Sequence, residues 1–402
     1  MTNVLIYIID ALRADHLSCY GHRRPTSPHL DALATDPLAV RFSRAFSPST
    51  WTKPVAASIL SGCYAPAHGV RTRNDLFTRA VPRLSALLQS AGYRTFGVST
   101  IGNVSSSLGF AAGFDRFVDL YKEASLASRR RVSNTGAWKL YFEEDTTVVL
   151  PLAEDVNEFA LAWLNEQVNP SPAPWFMFLW ALDPHDPYYP PPGFDRWSDP
   201  GYRGRIDGSA ESVRRVRNRA DVQRLVDLYD GEIAYTDEQF GRLIARLREL
   251  GLYDDTLIVV AGDHGEAFGE HGDFVHGHLA YEEVMHVPLI IKLPAGARPD
   301  ATERTSGQAG ARAFPAALPA ISAGPGVSTA LAQLTDIAPT VLDALGLSAL
   351  AAGMQGYSLL PAIRAAGWQQ AESPPLRSVA YAETQSSNAN QRLLAVRSER
   401  WK

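Results

Sequence analysis

A chain of 402 residues, 46% hydrophobic and 20% charged, is long enough for one large α/β domain or two smaller ones and has an ordinary globular composition. Its formal net charge of -5 lends no support to a nucleic-acid partner or an anionic membrane surface, and no apolar run is long enough to span a bilayer. With only two cysteines, Cys19 and Cys63, a disulfide framework is excluded and no metal spacing is matched, so both are expected as small buried side chains.

The chain enters "NVLIYIID" at once, which predicts a buried strand over Val4–Ile9. No basic n-region, apolar core and cleavage site precede it, so a cytoplasmic location is the default expectation. "VPRLSALLQSAGY" then carries helical spacing and ends at Gly, before an expected strand over Thr95–Ser99. Further strands are expected at Trp175–Ala181, Thr256–Ala261 and Val287–Lys292, with the helical pattern "DEQFGRLIARLRELGLY" ahead of the second of these. Three stretches read as surface insertions: the polar 121–147, the arginine-rich 195–224 and the Ala/Gly/Pro-rich 294–329, taken as a long loop. Their basic runs read as solvated faces. The alternation of strands and helices predicts an α/β sandwich without internal repeats.

Three of these strands end in acids. Asp10 follows "VLIYII", Asp183-Pro184-His185 follow "WFMFLWAL", and Asp263-His264 follow "TLIVVAG". In open α/β sheets, ligand sites lie beyond the carboxyl ends of the strands. One such acid is usually a helix cap. Three on one sheet, two with imidazoles nearby, point instead to a metal site.

At these residues the sequence resembles the sulfatase family of the alkaline phosphatase superfamily. The resemblance is carried by "NVLIYIIDALRADHLSCYG", "SILSGCYAPAHGV", "LQSAGYRT", "GFDRF", "DPHDPYYPP", "YDGEIAYTDEQFGRLIARL", "LIVVAGDHGEAFGEHG", "YEEVMHVPLIIKLP" and "LTDIAPTVLDALGL", in the family's order. It implies a large mixed, mostly parallel sheet flanked by helices over residues 1–370, with 371–402 beginning a small C-terminal subdomain that is incomplete here. Sulfatases carry a Cys-x-Pro-Ser-Arg signature whose Cys or Ser becomes formylglycine, ten positions before the Gly that is Gly62 here. That position is Thr52, and the signature reads Thr52-Lys53-Pro54-Val55-Ala56.

Threonine cannot become formylglycine. A sulfated threonine has no route for expelling sulfate by breaking its own C–O bond, whereas a phosphorylated threonine can be attacked in line by water at phosphorus. The expected activity is therefore a metal-dependent hydrolase of phosphate diesters, phosphate monoesters or phosphonates. Sulfate-ester hydrolysis, phosphotransfer from the same site and a non-catalytic anion-binding relative are the alternatives.

By the same resemblance, Asp10, Asp263, His264 and Thr52 hold one divalent cation. An imidazole in place of a carboxylate favours manganese, ahead of zinc and iron, with calcium and magnesium as the remaining ions. His185 contacts the transferred or leaving group, and His276 stands where relatives place a Lys, with His278 competing for that role. Asn74 matches a substrate-contacting Asn, and Lys53 and Arg73 could supply the charge missing at Ala56. His68 is expected to be structural, and Asp15 and His16 lie outside the site. The expected partner is a small anionic ester; oligomeric state is not legible.

Overall fold

The computed structural model describes residues 2–123, 131–132, 148–168, 173–297, 326–367, 377–385 and 392–398. Eight strands form the main sheet: β1 (Asn3–Ile9), β2 (Ala39–Phe42), β3 (Arg94–Ser99), β4 (Arg116–Asp119), β5 (Trp175–Ala181), β6 (Thr256–Gly262), β7 (Leu289–Lys292) and β8 (Gly326–Ser328). Their order is β8-β2-β7-β6-β1-β5-β3-β4. β7 runs antiparallel to β6 and β2, and the other ladders are parallel.

The pleat of the sheet divides the core in two. Val4, Ile6 and Ile8 of β1 face α2 (Thr52–Ser61), α3 (Leu84–Ser90), α6 (Ile337–Ala344) and α7 (Leu360–Gly367). Leu5, Tyr7 and Ile9 face α1 (Pro28–Ala34), α4 (Ala153–Val168) and the 31-residue α5 (Arg219–Glu249). A strand buried on both faces favours apolar residues throughout, which is why "VLIYII" and "WFMFLWA" are near-continuous apolar runs. No helix among the described residues is long and apolar enough to cross a membrane.

All five expected strands form, but the one expected at Val287–Lys292 begins only at Leu289. Pro288 precedes it without an N–H to donate, and the Val287 amide bonds to Ala45 outside the sheet. β2, β4 and β8 were not expected, since "AVRF", "RFVD" and "GVS" are short and carry charged residues or glycine. β8 lies inside 294–329, so the expectation of a loop to residue 329 is corrected: its last part is an edge strand paired with β2. Likewise α5 begins at Arg219, inside the expected insertion 195–224, because Asn218 caps it by accepting from the Ala220 and Asp221 amides. Of 121–147, residues 124–130 and 133–147 lie outside the described residues. Near the end of the chain, β9 (Val379–Gln385) and β10 (Arg392–Ser398) form an antiparallel hairpin. Cys19 and Cys63 are both free thiols, Cys63 buried and Cys19 only partly so.

Register sets the site. Ile9 lies opposite Ala181 of β5 and Gly262 of β6, so the three central strands end level. Asp10, the Asp183–His185 turn and Asp263-His264 therefore leave the sheet along one edge.

Candidate active site

The turn after β1 is held in an unfavourable shape. Ala11 has φ of 55°, a left-handed conformation that disfavours any side chain. Its amide donates to Asp263 Oδ1 at 3.0 Å, and its carbonyl accepts from Tyr229 Oη at 2.6 Å. Tyr229 in turn accepts from the Arg13 amide. These buried bonds fix Asp10 at the strand end, and Trp180 Nε1 donates to its Oδ2 at 2.9 Å.

Thr52 opens α2, after an extended Trp51, and Oγ1 lies 3.5 Å from Asp10 Oδ1 and 3.3 Å from His264 Nε2. The N-terminus of a helix carries partial positive charge and unbonded amides, which favour an anion in front of it. Pro54 in the first turn has no amide to leave unbonded. Lys53 is buried, and its ammonium donates to the carbonyls of Arg73 at 2.7 Å and Thr72 at 3.4 Å. Burial pushes its pKa down to about 8. Its charge thus ties the loop carrying Arg73 and Asn74 to α2. That loop is also bound to the hairpin, through Arg71 Nε on Glu383 Oε1 at 2.7 Å. Thr50 donates to Thr384 at 2.6 Å beside it.

The donors around Thr52 fit a cation. His264 Nδ1 lies 2.9 Å from the Gly265 carbonyl, which can only accept, so Nδ1 carries the proton and a neutral ring presents a bare lone pair at Nε2. Burial holds this ring neutral, well below the usual histidine range. That lone pair faces Asp263 Oδ2 at 3.2 Å and Asp10 Oδ1 at 3.5 Å. Asp263 Oδ2 is buried without a hydrogen-bond partner among the described residues. Burial, and then the neighbouring Asp10, push the Asp263 carboxyl well above its usual range; burial pushes Asp10 up to about 6. Acceptors crowded together without a proton between them are what a divalent cation satisfies. The other carboxylate oxygens are already committed: Asp10 Oδ2 to Trp180, Asp263 Oδ1 to the Ala11 and His264 amides. Gly265 is required here, since a Cβ would sit 2.0 Å from the Glu283 carbonyl.

Two more imidazoles line the same edge. The His276 ring packs on His264 and edge-on to His185, with centroids 4.2 and 4.7 Å apart. His185 Nδ1 donates to the Asp186 carbonyl at 2.7 Å. Burial opposes its charge, but the carboxylates of Asp186, Asp10 and Glu266 outweigh that and raise its pKa to about 9. His276 goes the other way, down to about 3, through burial and the nearby His185. Val275, just before it, has φ of 62°, a strained value for a β-branched residue. Asn74 and His278 are exposed. His68 is buried, between Ser58 Oγ and the Val70 amide. Asp15 pairs with Arg13, and His16 with Asp230.

Comparison with known proteins gives this edge a context. The sulfatase family model matches residues 2–347. The chain belongs to the sulfatase family. Human iduronate 2-sulfatase is 27% identical over 395 residues, covering 86% of this chain and 69% of the relative. N-acetylglucosamine-6-O-sulfatase of Bacteroides thetaiotaomicron is 22% identical, covering 100% and 77%. Among solved structures, the phosphonate monoester hydrolase of Silicibacter pomeroyi superposes with a TM-score of 0.67 at 25% identity, covering 96% of this chain and 80% of that one. A structure bound to D-glucosamine-2-N,6-O-disulfate gives 0.70 at 20% identity, covering 99% and 87%. The fold is thus the sulfatase and alkaline phosphatase-like one, and the chain is an ester hydrolase of a family whose enzymes bind a divalent metal.

This sulfatase-family site contains residues that the motifs did not single out. Glu266, fully buried, accepts from Tyr188 Oη at 3.0 Å and lies 2.9 Å from His276 Nδ1. Burial pushes its pKa up to about 7. It sits in the quoted "GDHGE", so the signal was present, but its partners come from loops distant in sequence. Glu266→Gln keeps the shape and weakens the hold on His276. Its kcat should fall on the order of 10-fold, with thermal stability within a few degrees of wild type, checked by steady-state kinetics and thermal denaturation.

Proposed function

We propose that this enzyme uses Thr52 Oγ1 as its nucleophile on phosphate diesters, phosphate monoesters or phosphonates. One divalent cation, manganese first, would be held by Asp10, Asp263, His264 and Thr52. The observation that carries this reading is the position of Thr52 Oγ1, at the start of α2 and within 3.5 Å of both Asp10 Oδ1 and His264 Nε2. A cation bound there supplies Lewis-acid stabilisation of charge on the transferred group and of the threonine oxygen. With one oxygen free on each carboxylate, one imidazole and one hydroxyl, the chain offers fewer oxygens than the roughly 6–8 that calcium takes.

The chain's own groups then divide the work. The α2 terminus and the Arg73 loop orient the anionic ester against Thr52. His264 Nε2 at 3.3 Å and Asp10 Oδ1 at 3.5 Å are the acceptors within reach of the Thr52 hydroxyl proton. A bond forms from Oγ1 to phosphorus as the bond to the leaving alcohol breaks, and His185, protonated at neutral pH, supplies the proton that alcohol takes up. Water then cleaves the phosphothreonine and restores Thr52; a second alcohol in its place would make the reaction a transfer.

Sulfate-ester hydrolysis is the second reading, favoured by the sulfatase names of curated relatives. The test is turnover of p-nitrophenyl phosphate, bis(p-nitrophenyl) phosphate, p-nitrophenyl phenylphosphonate and p-nitrophenyl sulfate with manganese added. At least one phosphorus ester should exceed the sulfate by about 100-fold or more in kcat/KM, about 2.7 kcal/mol in barrier. Sulfate as the best substrate would sink the proposal, and a stoichiometric metal with no turnover of any of the four would favour a binding role.

A further inference from the structure

The arginine-rich stretch 195–224 is not fully accounted for as a solvated face. It holds eight arginines, five acids and no lysine, within a chain of net charge -5. The five acids are committed locally. Asp195 pairs with Arg224, and Glu211 with Arg215. Asp199 caps a turn at the Gly201 amide, Asp207 accepts from the Ser209 amide and hydroxyl, and Asp221 accepts from Tyr202 Oη and the Arg217 amide. Arg196, Arg203, Arg205, Arg214, Arg217 and Arg219 are left exposed, with no carboxylate in ion-pair distance among the described residues.

The stretch is fastened to the catalytic edge. The Tyr188 amide, three residues after His185, donates to the Gly208 carbonyl at 2.8 Å. The approach is so close that a Cβ on Gly208 would lie 2.0 Å from the Tyr188 carbonyl, and φ there is 94°. Val213 is buried in the same core cluster as Tyr188. Arg214 follows directly, near enough to act on the carboxylate of Asp186, whose Oδ1 is 3.2 Å from His185 Nδ1. A net positive surface therefore begins near Asp186, the neighbour of the imidazole assigned to the leaving group, and includes the exposed Arg217.

We propose that this surface, led by Arg214 and Arg217, binds a second anionic group on the substrate, beyond the ester held at Thr52. The inference rests on the placement of that ester at Thr52. A carboxylate, like a phosphate, is a group whose geometry an arginine matches with two parallel hydrogen bonds, and it is the simpler probe. Excess positive charge beside a cleft also raises the capture rate of anionic ligands, and this contribution weakens with salt. A single free arginine could be an accident of composition. Six on one fastened stretch, against three acids that are held by hydrogen bonds and not by ion pairs, leave it with a net positive charge.

The test compares binding of phenylphosphonate and 4-carboxyphenylphosphonate to the manganese-loaded protein by titration calorimetry. Wild type should bind the carboxylated ligand at least 5-fold tighter at low salt, with the advantage shrinking as salt is raised. Arg214→Ala combined with Arg217→Ala should remove that advantage while leaving phenylphosphonate binding and Tm unchanged, since both side chains are exposed. Equal affinities in wild type, or an advantage that survives in the double variant, would overturn the inference. Turnover of the p-nitrophenyl esters is scored separately: a carboxylate preference without phosphorus-ester turnover would leave the second anion site standing and sink only the assigned reaction.

Discussion

Thr52→Ala should lower kcat/KM for the best phosphorus ester by about 10⁴-fold or more, which is about 5.4 kcal/mol of transition-state stabilisation. The methyl group left behind has no oxygen for attack, and the lost hydroxyl is the one that lay within 3.5 Å of both Asp10 Oδ1 and His264 Nε2. Thr52→Ser keeps the oxygen and should retain activity within about 10-fold, since only a methyl is lost. Acid quenching during turnover should trap a phosphoryl or phosphonyl group on the peptide containing Thr52, read by mass spectrometry. If Thr52→Ala keeps its turnover, water attacks directly and Thr52 is at most a ligand.

Asp263→Asn should separate metal binding from stability, with opposite signs. In the metal-free protein the Asp263 carboxyl is pushed well above its usual range by burial and Asp10, so the folded state disfavours its charge at neutral pH. The amide keeps an acceptor for the Ala11 and His264 amides while removing that charge. Metal-free Asp263→Asn should therefore be more stable than metal-free wild type at pH 7, seen as a higher Tm. The sign with pH follows. A carboxyl whose folded pKa is raised lets the folded state hold more protons above the unfolded value, so wild type loses stability as pH rises from about 4 toward the raised pKa. The variant's advantage should shrink as the pH is lowered from 7 toward 4. Manganese at roughly 100 times its Kd should add about 2.7 kcal/mol to wild type and little to the variant. Thermal denaturation with and without the metal reads both arms. A variant less stable than wild type without metal would contradict the repulsion argument.

The parts of this site that the sequence made legible are those governed by local rules. An acid at the end of an apolar strand reports its own position, so Asp10, the Asp183–His185 turn and Asp263-His264 could be placed on one edge before any coordinates. Thr52 came from spacing to Gly62. What escaped was set by contacts between distant segments. Tyr229, in the middle of α5, supports a turn 218 residues earlier at Ala11, and no period or motif announces that. Glu266 lies in view within "GDHGE", but its connection to Tyr188 and His276 depends on how two loops fold over the sheet. Lys53 shows the converse: its charge was legible, but its two carbonyl partners, which turn it into a fastening for the Arg73 loop, were not. Three strands were missed for a simpler reason. β4 and β8 are the sheet's edges and β2 lies just inside β8, and all three are too short to show a long apolar run.

The level ends of β1 and β6 have a consequence for how the protein is made. Ala11 and its partner Asp263 are 252 residues apart, and β1 lies between β5 and β6. A ribosome working at about 5–20 residues per second therefore leaves β1 without one of its neighbours for roughly 13–50 s. Throughout that interval "NVLIYII" presents an unpaired apolar edge next to an acid with no counter-ion. The nascent chain should depend on holding chaperones until β6 emerges, and slower growth at low temperature should favour soluble yield by reducing encounters between half-made chains.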